Sequence, residues 1–378
     1  MIRHGGLSRQ PYLGAQWFKR FVGQLFETSK MVWATALAGR PPPSRHNELS
    51  ASHTILPSHP RMLRSLQKEL RSKGFDLCHP IYTKWYNDMI RAEGLVASGA
   101  LKTLPEPFAI EDDSGTVFNA VLIGNTKHIW PIFLNWLTDQ KEGIERPFDT
   151  FVETSLPSAL EKCLGNNTEL ESYELFWSNG KRHLIDQSQN SSKASSNVAK
   201  YHCYDFNNAS FLVSMQRVAT TTGKYWHDEK ATKLCVHPEY GTWTAFRAVV
   251  VFKISNNTQT EIIPEIPQPC VCPVSDRDIE QAKKVFDLAL KLSSSDENGY
   301  GATLDKSWTE LCKYLHNTVC SGSDWDKVPS TMKPWIRLRD VISVGRNWKY
   351  DDAQLLYHYT KDPEILKKEL NRIRKYNA

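Results

Sequence analysis

The stretch from Cys235 to Phe252 constrains the fold more than any other part of the chain. Its sequence is CVHPEYGTWTAFRAVVVF. It begins with short β-prone residues, turns at Pro238–Gly241, and continues as a β-branched and aromatic run. This order predicts a β-hairpin whose second strand crosses the middle of a sheet. With a period of two, one face of that strand carries Trp243, Ala245, Arg247, Val249 and Val251.

Arg247 is the only charged residue in that otherwise apolar row. A guanidinium buried without an anionic partner is costly in free energy, so Arg247 requires an acceptor. One interpretation is an internal Asp or Glu. The other is a carboxylate or phosphate of a ligand, held by two parallel hydrogen bonds. The residue types leave both interpretations open.

The same stretch resembles the core segment of the cobalamin-processing family of methylmalonic aciduria and homocystinuria type C. The shared order is C-[VI]-H-P-x-[FY]-G-x-W-x-A-[FI]-R-x-V-V. Weaker similarities lie at Gly74–Asp76, at Trp85–Asp88, and at Asn347–Ala353, which resembles the family's W-x-Y-R-D-A. The resemblance covers roughly residues 63–286 and 333–375.

The chain is expected to form one α+β domain with a mainly antiparallel sheet flanked by helices, and the resemblance implies a flavin nitroreductase-like arrangement. It also implies binding of base-off cobalamin and removal of its upper axial ligand. Cyanide would leave after one-electron reduction by FMN or FAD, and alkyl groups by attack of a glutathione thiolate. The product would pass to an adaptor protein for delivery to downstream enzymes, and a homodimer is a further expectation. Two alternatives are a non-catalytic cobalamin carrier and a flavin reductase that does not handle corrins.

The family's corrin contacts carry over residue by residue. Aromatic and aliphatic side chains at these positions suit the face of a large planar ligand. Without the resemblance, the apolar members would be interpreted as core and the cysteine as an inert buried thiol. The cobalamin-binding residues implied are Ser210, Phe211, Leu212, Val213, Lys224, Tyr225, Trp226, Cys235 and Phe246.

For glutathione, the resemblance implies Arg247 and Arg374. This sequence departs from the family at three positions: Asp351 stands where the family has an arginine, Arg217 where it has a histidine, and Thr220 where it has a glycine. Exchange of a cation for an anion would weaken binding of a dianionic thiol. We assign no catalytic side chain and no metal ligand set, because cobalt and flavin carry the chemistry in such enzymes.

Composition excludes several other classes of protein. A net charge of +5 on 378 residues is too mild to indicate nucleic-acid binding. The eight cysteines contain no C-x-x-C pair, which favours free thiols in a reducing compartment over a zinc site or a disulfide framework. No apolar run is long enough for a membrane span.

The N-terminal 58 residues are expected to be a separate basic extension. Residues 1–45 hold seven Lys or Arg and one acid, Glu27. This composition fits either a mitochondrial presequence or a disordered extension, and the family's cytoplasmic location favours the second. Residues 59–378 would form the cobalamin-processing domain, with a polar insertion near 293–323.

Overall fold

The computed structural model describes residues 62–112, 114–140, 143–165, 170–186, 212–254, 263–294, 328–329 and 332–377. The extension at 1–58 and nearly all of the insertion at 293–323 lie outside these residues. The strands, in chain order, are β1 (Leu77–Ile81), β2 (Ile110–Glu111), β3 (Val117–Phe118), β4 (Ala120–Asn125), β5 (Leu170–Trp177), β6 (Arg182–Asp186), β7 (Trp226–His227), β8 (Cys235–Val236) and β9 (Ala245–Ile254).

Five of the strands form one antiparallel sheet in the order β1-β4-β9-β5-β6, and helices pack on both of its faces. This confirms the predicted α+β class. The helices are α1 (Met62–Ser72), α2 (Thr83–Ala92), α3 (Ile129–Thr138), α4 (Pro147–Leu164), α5 (Met215–Thr221), α6 (Asp276–Ser294), α7 (Lys333–Asp340), α8 (Asp352–Thr360) and α9 (Pro363–Asn377), with a 3₁₀ turn at Arg346–Trp348.

Helix starts follow the local chemistry of the sequence. Pro147 and Pro363 each open a helix, where the missing N–H of proline costs no hydrogen bond. Ser214 accepts a hydrogen bond from the backbone N–H of Arg217 and so caps α5. Within the described ranges, no helix combines the length and the apolar character needed to cross a bilayer.

The central strand β9 divides the core into two faces. Val250 and Phe252 pack with α1, α3, α4 and α8 in a first cluster. Val249 and Val251 pack with α2 and α5 in a second cluster. Burial of each such side chain stabilises the fold by about 1.5–3 kcal/mol. A third cluster joins α6 and α7 over β8.

A β-bulge at Arg247 interrupts the side-chain alternation of β9. Ile123 pairs with Ala248 and Gly124 pairs with Phe246, so Arg247 is the extra residue. The close approach requires glycine at position 124, because a Cβ there would lie 2.8 Å from the carbonyl oxygen of Ala245.

The bulge makes the single-face prediction for β9 wrong. The guanidinium of Arg247 lies 5.1 Å from the ring centroid of Phe148, on the first face, and Trp243 also belongs to the first cluster. Val249 and Val251 belong to the second. A strict period of two cannot hold across an inserted residue.

The predicted hairpin is correct in its turn and second strand but wrong in its first strand. β8 pairs with β7 in a separate two-stranded sheet and not with β9. The turn is closed by reciprocal backbone hydrogen bonds between His237 and Gly241. Gly241 has a φ of +58°, and a Cβ on it would lie 2.0 Å from the carbonyl oxygen of Val344, so this turn packs closely against the loop that precedes α8.

Candidate functional site

Two chemically different groups of side chains meet at the start of β9. Phe246 reaches the second face of the sheet, while the next residue, Arg247, reaches the first. The bulge is the cause, since it turns the backbone just where β4 ends. The site therefore has an aromatic side and a cationic side.

The aromatic side is centred on Tyr225. Its ring centroid lies 5.1 Å from that of Phe246, 5.0 Å from that of His237 and 5.6 Å from that of His79, each in an edge-to-face arrangement. Its hydroxyl is 3.3 Å from Nε2 of His79. We call these four residues the Tyr225 group.

Both imidazoles of the Tyr225 group are neutral at pH 7. Burial, together with the nearby positive charge of Lys224, lowers the pKa of His79 to about 3 and that of His237 to about 4. Nδ1 of His79 is buried and has no hydrogen-bond partner. The group therefore presents aromatic edges and neutral polar atoms, as sites for large planar ligands do.

The structure brings most of the predicted cobalamin-binding residues together. Val213 and Tyr225 are buried in the second cluster, and Leu212, Cys235 and Phe246 pack against it half-buried. The other predicted positions differ in their surroundings: Trp226 packs against the third cluster, Lys224 is exposed, and Ser210 and Phe211 lie outside the described residues.

Cys78, in the first cluster, and Cys235, which packs against the second, are inert thiols. Burial raises the pKa of Cys78 to about 12. The pKa of Cys235 is also raised, first by burial and then by the neighbouring Cys270. Because the thiolate is the nucleophile, neither cysteine is reactive near neutral pH.

The cationic side is a small cleft between α3, α4, β9 and α8, which we call the Arg247 cleft. Nε of Arg247 donates a hydrogen bond of 2.6 Å to the amide oxygen of Asn125. Its guanidinium forms no ion pair with any Asp or Glu that the structure describes. Of the two interpretations, an internal carboxylate is therefore not found in that part of the chain. The cleft is lined by Trp130, Phe148, Arg247, Tyr350, Gln354, Tyr357, His358 and Lys361.

The cleft is strongly electropositive. Burial lowers the pKa of Arg247, and burial together with Lys361, Arg339 and Arg247 lowers the pKa of His358 well below its usual range. The pKa of Lys361 is lowered to about 8 by burial of its ammonium and by Arg247, against the opposing effect of Asp149. Each basic group in the cleft lowers the pKa of its neighbours. An anion entering the cleft would raise these pKa values again.

Arg339 packs against Tyr350, one of the residues that line the cleft. Its guanidinium lies 4.6 Å from the ring centroid of Trp243 and 5.0 Å from that of Tyr350. It donates to the carbonyl oxygen of Thr242 at 2.6 and 3.1 Å. Sequence reasoning missed Arg339, His358 and Lys361, because they come from elements far from Arg247 in the chain and match no motif.

Asp351 and Arg217, at which the sequence departs from the family that it resembles, have structural partners. Asp351 is exposed, and its carboxylate accepts a hydrogen bond of 2.7 Å from the backbone N–H of Gln354, which caps α8. Arg217 forms ion pairs of 3.1 Å with Glu93 and 3.4 Å with Glu229.

Arg374, the second predicted glutathione-binding residue, is exposed in the last turn of α9. It is not among the residues that line the Arg247 cleft. The structure therefore does not bring the two predicted arginines together, and Lys361 is the second basic side chain that lines the cleft.

Comparison with known proteins connects this arrangement to one family. The model of the methylmalonic aciduria and homocystinuria type C family matches residues 74–291. A Danio rerio protein named cyanocobalamin reductase / alkylcobalamin dealkylase is 24% identical over 220 residues, covering 57% of this chain and 74% of that protein. A crystal structure of the C. elegans B12-trafficking protein CblC, described as a human MMACHC homologue, is 17% identical. It has a TM-score of 0.38 and covers 75% of this chain and 96% of that one.

Proposed function

The chain belongs to the methylmalonic aciduria and homocystinuria type C family, and from this premise we propose that it binds base-off cobalamin and removes the upper axial ligand. The observation that carries the proposal is the placement of Phe246 and Arg247. Two consecutive residues direct an aromatic ring to one side of the sheet and a cation to the other. A corrin-binding surface and an anion-binding cleft therefore share one strand end.

The aromatic side would hold the corrin ring. Leu212 and Phe246 are half-buried at its edge and offer apolar surface, while the neutral imidazole of His237 suits the corrin's amide side chains. Lys224 is exposed beside them and complements the phosphate of the displaced nucleotide tail.

Decyanation requires electrons, which FMN or FAD would supply when bound beside the corrin. The half-buried ring of Phe246, which packs edge-to-face against the buried Tyr225, fits a second planar ring system as well as the corrin. This chain's contribution is to hold the two rings together and to exclude water with the apolar second cluster. The hydrogen bond between His79 and Tyr225 keeps the tyrosine hydroxyl in place.

Dealkylation requires a thiolate from outside the chain. Cys235, which packs against the second cluster, has a raised pKa and stays protonated. A small anionic thiol such as glutathione would instead be drawn to the Arg247 cleft. Its sulfur would attack the alkyl carbon, and the electron pair of the broken cobalt–carbon bond would remain on cobalt.

A second candidate function, a non-catalytic cobalamin carrier, is favoured by Arg217. This residue stands where the family has a histidine, and its guanidinium is held by Glu93 and Glu229. Because an arginine does not titrate near neutral pH, any proton transfer that depends on that histidine is absent here. A carrier would bind cobalamin but leave its ligand in place.

A visible-light titration tests both candidates. We expect the purified chain to shift cyanocobalamin to its base-off spectrum, and reduced flavin added without oxygen to convert the bound form to the Co(II) spectrum. A shift without reduction would support the carrier, whereas an unshifted spectrum would overturn cobalamin binding altogether.

Two matched variants locate the pocket. Leu212→Asp places a charge at the half-buried corrin edge and should weaken cobalamin binding at least tenfold, because an unpaired carboxylate there is poorly solvated. Leu184→Asp is the control, since Leu184 lies on the edge strand β6 with 47% of its surface exposed. Equal affinities for the two variants would place the pocket elsewhere.

A further inference from the structure

Residues 263–273, which follow β9 and precede α6 in the chain, form neither a helix nor a strand. Their sequence is IPEIPQPCVCP, and we call them the proline segment. Each of the four prolines fixes its own φ at about −65° and disfavours the helical region for the residue before it. The four prolines and the four residues that precede them make up eight of the eleven residues. The sequence therefore restricts this segment to polyproline II, a left-handed helix with about three residues per turn.

The burial of the proline segment repeats every three residues. Pro264, Pro267, Cys270 and Pro273 are half-buried, and every residue between them is exposed. This is the period of a polyproline II helix, because residues three apart lie on the same edge of such a helix. One edge therefore faces the body of the protein, and the other two face solvent.

The buried edge fixes the segment to the rest of the fold. Pro267 and Gln268 pack against Gly223, which follows α5: a Cβ on this glycine would lie 2.6 Å from the carbonyl oxygen of Gln268. At the other end, Val274 is buried in the third cluster. The hydroxyl of the next residue, Ser275, accepts a hydrogen bond of 3.2 Å from the backbone N–H of Asp278 at the start of α6. The extended conformation is thus formed before any partner binds.

One of the two exposed edges is apolar along its whole length. It consists of Ile263, Ile266, Pro269 and Cys272, and the two isoleucines are 64% and 73% exposed. Together with Val271, they are three of the five large hydrophobic residues that are exposed in the described ranges. Single apolar residues on a surface are ordinary, whereas a contiguous row of them marks an interaction site.

The other exposed edge and the backbone offer polar contacts. Glu265 and Gln268 lie on that edge, and Glu265 carries the only charge in the segment. No carbonyl group of the segment accepts a backbone hydrogen bond from a residue that the structure describes. These carbonyl oxygens are therefore free to accept hydrogen bonds from the backbone or side chains of a partner.

We propose that the proline segment is a docking surface for a protein domain with an aromatic-lined groove of the kind that binds polyproline II helices. Aromatic rings in such a groove receive the apolar edge, and their N–H and O–H groups reach the carbonyl oxygens. A helix that is already formed loses little conformational entropy on binding. A basic residue at the rim of the groove complements Glu265. The docking surface is a function beyond cobalamin processing, since it uses neither the Tyr225 group nor the Arg247 cleft.

A second copy of the chain fits this surface poorly. The segment exposes seven residues along a narrow ridge, whereas a stable interface uses roughly 20–30 residues on each side. In a two-fold dimer built on this surface the ridge would face itself and bury little area. A groove encloses both exposed edges and buries more of them.

The test measures binding of the full chain to a panel of purified SH3, WW and EVH1 domains, immobilised for biolayer interferometry. We expect at least one of these domains to bind with micromolar affinity. Ile266→Asp places a charge in the middle of the apolar edge and should weaken that binding about tenfold or more. Gln268→Asp is the matched control. It adds the same charge two residues away on the polar edge and should bind within about twofold of wild type.

Salt dependence tests the role of Glu265. Glu265→Lys reverses the charge that the partner's basic residue would meet, so it should weaken binding several-fold at low ionic strength. The difference from wild type should largely disappear at about 1 M salt, where the Debye length is only about 3 Å.

Three results would contradict the proposal. One is that no domain of the panel binds the wild-type chain, and another is that Ile266→Asp and Gln268→Asp bind equally well. The third is a wild-type dimer in sedimentation that Ile266→Asp converts to a monomer, which would assign the apolar edge to a second copy. Melting temperatures should match wild type in both variants, because both side chains are exposed. None of these results affects the proposed function, which the base-off spectrum of cobalamin tests separately.

Discussion

Substitution of Asp351 will change the stability of the protein rather than its affinity for a thiol. The carboxylate of Asp351 accepts a hydrogen bond of 2.7 Å from the backbone N–H of Gln354 at the start of α8. Asp351 is exposed, whereas its neighbour Tyr350 lines the Arg247 cleft. The aspartate therefore serves as a helix cap, and no repulsive charge faces the cleft at this position.

The magnitudes follow from two local interactions. Loss of the capping hydrogen bond in Asp351→Ala costs about 1 kcal/mol. Loss of a negative charge at a helix N-terminus costs about 0.3–1 kcal/mol more. Asp351→Asn keeps the acceptor oxygen and loses only the second contribution. Asp351→Arg loses both interactions and also places a cation at the positive end of the helix. It should lower the free energy of unfolding by about 2 kcal/mol in total.

Urea denaturation of the four proteins measures this order directly. We expect the free energy of unfolding to decrease from wild type to Asp351→Asn, then Asp351→Ala, then Asp351→Arg, with melting temperatures falling by about 2 °C per kcal/mol. The affinity for S-methylglutathione, an unreactive analogue of glutathione, should stay within about twofold of wild type in all three variants. Asp351 contacts only the first turn of α8 and does not reach the cleft, so the two sites act independently.

One result would refute this reasoning. If Asp351→Arg bound S-methylglutathione about tenfold more tightly than Asp351→Ala, a side chain at position 351 would reach the thiol. The capping assignment would then not account for the aspartate. Asp351→Ala is the reference, because it shares the lost cap without adding a charge.

Two further predictions concern stability. Gly241→Ala should destabilise the protein by roughly 3 kcal/mol or more in urea denaturation, because the Cβ would overlap the backbone of Val344 at a φ of +58°. Gly180→Ala, with a φ of +85° and no atom within 4 Å, should cost only about 1 kcal/mol; equal costs would exclude the clash. The low pKa of His79, about 3, means that the unfolded chain takes up a proton below pH 6.5 while the folded protein does not. The free energy of unfolding should therefore decrease as the pH is lowered below 6.5. This residue should account for about 2 kcal/mol of the decrease at pH 5. His79→Phe should lose that much less between pH 7 and pH 5, and equal losses would mean that His79 titrates normally in the folded protein.

Local features of the chain were predictable from the sequence. The run from Trp243 to Phe252 is β-branched and aromatic, and from Ala245 onward it forms most of the central strand β9. The turn at Pro238–Gly241 was also correct. Each depends on the φ and ψ preferences of a few adjacent residues, which hold in any tertiary context.

The sheet partners depended on the tertiary structure. β8 pairs with β7 although β9 follows it closely in the chain, because the turn at Gly241 packs against Val344 and directs the two strands into different sheets. The face reached by Arg247 depends on one inserted residue opposite Gly124. A bulge is set by the pairing of two strands, and the sequence of one strand does not contain it.

The Arg247 cleft shows the limit of sequence reasoning most clearly. The need of Arg247 for an acceptor was evident from its apolar neighbours, but the acceptor is Asn125, 122 residues away. Lys361 reaches the cleft only because α8 ends beside α4 in a left-handed conformation. Residue types and their spacing determine secondary structure and family membership. Long-range packing determines which charges meet, because a charge acts through space and not along the chain.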